Sequence, residues 1–373
     1  MARHHLFVCV VPMAFGEMLQ ARRVAEALVA AGDRVSFVAP AEVQGVLAGA
    51  PIRSGILARF GMTMLDEILT ELVAQDTYDS VCLVDLTAFA LAYGARGFRF
   101  GSLRELHPRV VALDLWNLAE SSRIFDLGSL RMPLQPDVLE VPRLVPVPFA
   151  RPSAASAYDA WPATGPLTPA ARAAVRAELG IESATRVLVM PTASWQEPAH
   201  QQDAMALASA LAVPPLLLAH VARSGATLVH VGPVAWAEPS ATYRHLAALP
   251  PAAFHQLVGA GDALLTANLS ATSIATALAA EVPVVAFRSA GRGDIAPFCV
   301  WPLGLCGFLD PVLAANPLLD CVRVIELFDE DGLAGALAPD ASATTRIRAY
   351  RDRVRTLPGP AARYAELIGS GLV

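Results

Sequence analysis

One stretch limits the folds open to this chain more than any other: Gly261 to Arg288, GDALLTANLSATSIATALAAEVPVVAFR. Asp262 to Thr266 reads as a short apolar strand, Ser270 to Ala280 as a helix entered through hydroxyl residues, and Val282 to Phe287 as the next strand. A strand, a helix and a second strand in so short a span make a parallel crossover, and continuous apolar runs suit strands buried on both faces. The helix opens Ser270-Ala-Thr272-Ser273. Hydroxyls therefore sit where a helix N-terminus leaves N–H groups unpaired and partial positive charge exposed, a setting that fits ordinary capping or a bound phosphate.

The same alternation runs from the N-terminus. Leu6 to Val11 is an apolar strand, and a short loop through Met13, Phe15 and Gly16 leads to a helix beginning near Glu17. Ala21, Val24, Ala25 and Leu28 keep helical spacing, Gly32 supplies the stop, and Val35 to Val38 is the second strand. Two further strands, Ser80 to Asp85 and Val110 to Trp116, each run into an acid, Asp85 and Asp114. Ligands of doubly wound sheets meet the carboxyl ends of the strands, so Glu17, Asp85 and Asp114 are expected on one side. Leu144 to Phe149 is the last strand expected of this half, and the Pro-, Ser- and Ala-rich segment from Ala150 to Pro166 reads as a linker. Beyond it, Thr168-Pro169 caps a helix ending at Gly180, and Arg186 to Met190 is a strand running into a loop that holds Ser194 and Trp195. Thr227 to Val231 is another strand, and an arginine-rich helix from about Ala343 to Leu357 closes the chain. The expected domains are residues 1–160, residues 161–342, and a helical segment 343–373 packing back toward the first.

Composition narrows the function. A net charge of −6 speaks against nucleic acid or an anionic membrane as the main partner. All 28 basic residues are arginine, which excludes chemistry that depends on a lysine Schiff base or a Walker lysine. The five cysteines form no CxxC pair and read as reduced, buried thiols of a cytoplasmic protein. The most apolar window, Ala204 to Ala222, is interrupted by Pro214-Pro215 and carries His220, so it reads as a buried helix-turn and not a membrane span. No HExxH or paired-histidine spacing points to a metal, and His230, inside a strand, reads as a satisfied core histidine. Asp329-Glu330-Asp331 imitates a metal-binding DxD but precedes a helical pattern and reads as a solvated helix start.

Two doubly wound halves, with a phosphate-ready helix in the second and a helix after it, resemble the GT-B glycosyltransferases. The opening Val10-Val-Pro-Met-Ala-Phe-Gly16-Glu17 looks like the family's first strand and glycine loop, and Asp262-Ala-Leu-Leu-Thr through Glu281-Val-Pro-Val-Val looks like its donor signature. The resemblance implies two Rossmann-like halves facing each other across a cleft, the acceptor in the first and a nucleotide-diphosphate sugar in the second. The donor is expected to carry UDP or TDP sooner than GDP, with no metal and no tightly bound cofactor. Ser273 matches a serine that contacts the donor phosphate. Ser270, Thr272, Thr276 and Ser194 complete the donor wall, Arg288 and Arg292 flank the following loop to assist the leaving diphosphate, and Asp294 stands near the acid that contacts sugar hydroxyls. The chain departs from the pattern at Asn268 and Ser270, where many members have histidine and glycine. It departs also at Thr276, for a ribose-binding glutamate, and at Glu281, for the glycine before Val-Pro.

Where inverting members use a histidine as general base, this chain has Glu17, with Asp85 as the strand-end acid; two close carboxylates raise one pKa, which suits base function. Met13, Phe15, Asp114 and Trp116 are the expected acceptor-side residues, and their apolar members suit a small, partly apolar natural product. The partners expected are thus a nucleotide sugar and a small-molecule acceptor, with an oligomer allowed. A sugar-nucleotide epimerase, a transferase of a non-sugar group, and a catalytically silent partner-binding scaffold stand as the alternatives.

Overall fold

A computed structural model describes residues 2–11, 15–56, 65–87, 89–90, 107–115, 117, 124–126, 131–133, 141–149, 156–193, 204–268, 271–288, 316–326, 330–337, 340 and 342–369. The chain divides into two compact units. Unit 1 is Met1–Phe125, Arg131–Ala160 and Val354–Val373; unit 2 is Asp126–Leu130 and Trp161–Arg353.

In chain order the first elements are β1 (His4–Val8), α1 (Phe15–Ala30), β2 (Arg34–Ala39), β3 (Arg53–Ile56), α2 (Leu65–Gln75), β4 (Ser80–Leu83) and β5 (Val110–Leu113). A two-stranded sheet of β6 (Ile124–Asp126) and β7 (Arg131–Pro133) follows, then β8 (Arg143–Val147) and β9 (Ala157–Asp159). The main sheet of unit 1 has the order β3-β2-β1-β4-β5-β8-β9, parallel throughout. Burial on both faces explains the unbroken apolar strands: Leu6, Phe7 and Val8 are inaccessible to solvent, as are Cys82 and Leu83. Helix α1 lays Met18, Ala21, Val24, Ala25 and Leu28 into this core and ends where Gly32 takes φ 96°, a left-handed stop that suits glycine.

Unit 2 continues with α3 (Pro169–Glu178), β10 (Arg186–Pro191), α4 (Ala204–Arg223), β11 (Ala226–Val231), β12 (Tyr243–Leu246), α5 (Pro251–Ala260), β13 (Ala263–Thr266), α6 (Ser273–Ala279), β14 (Val284–Arg288), β15 (Val322–Glu326), α7 (Glu330–Leu337) and α8 (Ala343–Val354). Its sheet has the order β12-β11-β10-β13-β14-β15, again parallel. In both units the first strand lies inside the sheet with the chain winding away on either side. The order therefore reverses between β1 and β4 and between β10 and β13, the switch points at which doubly wound sheets bind ligands.

Four details differ from the sequence reading. The linker segment contains β9, because Ala157 and Tyr158 are buried and pair with β8 as a seventh strand. Helix α4 runs unbroken through Pro214 and Pro215, each costing about 3 kcal/mol in a helix interior; burial of Leu217 and Val221 in the unit 2 core offsets that cost. Helix α6 begins at Ser273, three residues later than expected; Ser270 lies outside the described residues. The arginine-rich helix stops at Val354 and a separate helix, α9 (Pro360–Gly369), follows. In unit 1, α9 sinks Tyr364 completely, stacks it on Phe7 at 5.8 Å and hydrogen-bonds its hydroxyl to Ser80 Oγ at 2.8 Å. No described helix is long and apolar enough to cross a membrane.

Candidate functional site

At the unit 1 switch point, β1 and β4 run side by side in the register Val8↔Leu83, and the Val84 N–H extends the ladder to the Val8 carbonyl at 2.9 Å. Asp85 is the next residue. Its carbonyl accepts from the Phe89 N–H at 3.0 Å, so it stands at the entry of a short helical turn. Glu17 lies in the first turn of α1, which begins just after β1. The two acids are therefore brought to the same carboxyl edge by adjacent strands. Burial first, then the negative charge of Asp85, pushes the Glu17 carboxyl up to about 8, against the opposing pull of a backbone N–H. Cys9, just past β1, is buried beside them; burial, with the anions of Asp85 and Glu17 adding repulsion, pushes its thiol up to about 12 and keeps it neutral. Sequence reasoning missed Cys9 as part of this cluster, since a cysteine at a strand end looks like any core thiol.

Among the acceptor-side residues, Phe15 opens α1 and is 43% exposed, unusual for so large an apolar side chain. Asp114 follows β5 but is buried at 1% exposure and faces Arg143 Nη1 at 3.5 Å, an ion pair inside the unit. Met13 and Trp116 lie outside the described residues.

In unit 2 the loop after β13 is tightly folded. Thr266 Oγ1 donates to the Asn268 carbonyl and accepts from the Asn268 N–H, both at 3.0 Å, which folds the chain back at the end of β13. Thr272 precedes that helix with φ −62° and ψ −19° and makes no side-chain capping bond; Thr276 is half-buried one turn on. Ser273 opens the helix, 9% exposed, and its buried Oγ has no hydrogen-bond partner among the described residues. A buried hydroxyl without a partner costs about 1–3 kcal/mol, a cost that a bound acceptor oxygen removes. Arg288 ends β14 opposite Glu326. Ser194, Ser270, Arg292 and Asp294 lie outside the described residues.

Glu281 has a structural reason for its departure from the glycine pattern. It sits just past α6 at φ 57°, with its N–H on the Leu278 carbonyl at 3.1 Å and the Val282 N–H on the Ala277 carbonyl at 2.8 Å, the paired bonds of a left-handed helix stop. A non-glycine residue there costs about 1–2 kcal/mol. The carboxylate offsets this by holding Arg348 (3.0 and 2.6 Å) and Arg351 (2.9 Å) of α8, which also hold its pKa below the usual range.

Next to the switch point, His230 of β11 is fully buried between Thr192 Oγ1 at 2.9 Å and Tyr243 OH at 3.0 Å, with Trp236 stacked at 4.0 Å. It is the satisfied core histidine that its position in a strand predicts, held neutral because burial drives its pKa down to about 3. Gly232 must stay small, since a Cβ there would overlap Thr192 Oγ1 and stand 2.9 Å from His230 Nε2. No cluster of three metal-ligating side chains occurs among the described residues.

Comparison with known proteins agrees with this architecture. The family described as "Family of unknown function (DUF6365)" has a model that matches residues 24–290 and 287–366. No curated protein matches. The solved spinosyn forosaminyltransferase SpnP superposes with a TM-score of 0.60 at 15% identity over 98% of this chain and 99% of that one. The glycosyltransferase SnogD from Streptomyces nogalater gives 0.54 at 15% over the whole of both chains. A putative UDP-N-acetylglucosamine 2-epimerase from Listeria monocytogenes gives 0.53 at 12%, covering 99% of this chain and 95% of that one. The fold is GT-B.

Proposed function

The chain belongs to that family of unknown function, and from the coupled acids at its first switch point we propose that it is a nucleotide-sugar-dependent glycosyltransferase. The observation that carries this reading is the placement of Glu17 and Asp85 at the carboxyl ends of the adjacent strands β1 and β4, where burial and the charge of Asp85 push the Glu17 carboxyl up to about 8. A group with that pKa takes a proton from a hydroxyl or amine at the operating pH, which is what a general base needs. Glu17 deprotonates the acceptor, whose oxygen or nitrogen bonds to the anomeric carbon as the bond from that carbon to the diphosphate oxygen breaks. For the charge left on the diphosphate we assign the Ser273 hydroxyl, whose buried Oγ has no partner among the described residues, with Arg288 assisting. No metal is assigned a role in these steps.

Phe15, exposed in the same first turn of α1 as Glu17, supports a small acceptor with an apolar face, as natural-product acceptors have. A UDP or dTDP donor, an acceptor site in unit 1 and work in the cytoplasm complete the proposal. The buried free thiols Cys9, Cys82 and Cys321 fit a reducing compartment.

Calorimetric titration with UDP, dTDP and GDP sugars, followed by turnover with a panel of small phenolic and macrolide-like alcohols, tests it. Binding of a nucleotide sugar and acceptor-dependent release of the nucleoside diphosphate are expected. Absence of binding at millimolar donor overturns the reading, and turnover of the sugar nucleotide without an acceptor replaces it with the epimerase reading.

A further inference from the structure

Unit 2 carries a cavity of ≈ 470 Å³ at the amino-terminal edge of its sheet, the edge opposite the β13–α6 turn. It is bounded by the first residues of β10, β13 and β14, by Arg323 near the start of β15, and by side chains of α3, α7 and α8. A cavity of that size fits a small organic ligand.

The charges around it do not cancel. Four arginines line it, Arg176, Arg186, Arg323 and Arg346, against two acids, Asp262 and Asp340. Both acids are already saturated. Asp262 accepts from Arg172 at 2.5 Å, Arg176 at 2.7 Å and the Val187 N–H at 2.7 Å. Asp340 accepts from Arg346 at 2.7 Å and from the Ser342 N–H and hydroxyl at 2.9 and 2.7 Å. Arg186 is left with no hydrogen-bond acceptor among the described residues, although its side chain is partly buried and burial lowers its pKa. Arg323 spends one donor on the Gly335 carbonyl at 2.7 Å and keeps the rest of its fork free among the described residues.

The sheet sets the separation of the two backbones that carry these guanidinium groups. Arg186 starts β10 and Arg323 is the second residue of β15, three inter-strand steps across the sheet and, by the strand registers, four residues farther along it, roughly 19 Å between backbones. Between them the cavity floor is apolar, built by Ala263, Pro283 and Val284.

The geometry points to a second ligand site, for a small organic anion with an oxyanion group at each end and a compact middle. Arg186 and Arg323 each take one end in a forked pair of charge-assisted hydrogen bonds. Dicarboxylates and sugar bisphosphates share this chemistry. The site lies at the far end of the strands from Ser273, so it does not depend on the glycosyltransferase reading.

Calorimetry on the full chain with glutarate, with fructose 1,6-bisphosphate and with inorganic phosphate decides the matter. One of the two-ended anions is expected to bind with a Kd below about 1 mM, and Arg186→Met and Arg323→Met are each expected to weaken it about tenfold. Competition with UDP is not expected. On the unsubstituted protein, the bound anion should slow phenylglyoxal labelling of Arg186, read by peptide mass, which covers the case in which a variant misfolds. A dicarboxylate-only or bisphosphate-only result names the ligand class. The proposal fails if neither anion binds at about 10 mM, if inorganic phosphate binds as tightly, if UDP displaces the anion, or if Arg186 labelling is unchanged.

Discussion

Glu17 has a folded-state pKa near 8, above the carboxylate's ordinary value of 4.5. A raised pKa means that its contribution to stability is complete below about 4.5 and is lost as pH climbs through 8. The same group gains its function over that window, since only the anion accepts a proton. Transfer is therefore expected to rise with pH to a plateau above an apparent pKa near 8, and Glu17→Gln to remove that limb and at least about 10²-fold of kcat/KM. At pH 9 the Gln variant should be more stable than the parent by on the order of 2 kcal/mol, measured by urea unfolding at two pH values. A variant no more stable at pH 9 and still active would remove Glu17 as the base. Glu281 has the opposite sign: Arg348 and Arg351 depress its pKa, so its contribution is present above the unfolded value and disappears as pH falls. Glu281→Gln should lower stability by about 1 kcal/mol at pH 7, a deficit that closes in acid.

At the scale of an element, the β13–α6 turn separates a structural serine from a functional one. Ser273 is buried without a partner, so Ser273→Ala removes an unsatisfied hydroxyl and should leave thermal stability equal or slightly higher. If the hydroxyl meets a donor phosphate, the same substitution raises the donor KM by about tenfold, a loss that a stability role would not produce. The turn was legible in part. Hydroxyl spacing announced a helix start, but the helix begins only at Ser273, after Thr266 has bonded back to Asn268 through a side chain–backbone pair that spacing does not reveal. Glu281 shows the reverse case: its mismatch to a glycine pattern looks like erosion until its left-handed φ and the two arginines of α8, 67 and 70 positions away, explain it.

Across the whole molecule, each unit carries its own sheet and its own core, and α9 belongs to unit 1 although all of unit 2 precedes it in the chain. Tyr364 is buried against Phe7 and hydrogen-bonded to Ser80, whose Oγ also meets His5 Nδ1 at 2.8 Å. Tyr364→Ala is expected to cost about 3–5 kcal/mol, read as an earlier transition in thermal unfolding; a change under about 1 kcal/mol would show that α9 is dispensable to unit 1. By itself the sequence determined the parallel strands, the winding helices and the two acids at strand ends, because apolar runs and helical spacing are local signals. The sequence also led to the expectation that Glu17 and Asp85 meet, but what brings them together is β4 pairing with β1 across more than seventy residues, a contact that only the tertiary structure supplies. Tertiary structure alone opened the arginine-lined cavity, to which β10, β13, β14 and β15 contribute residues at or near their starts, a pattern that has no period along the chain.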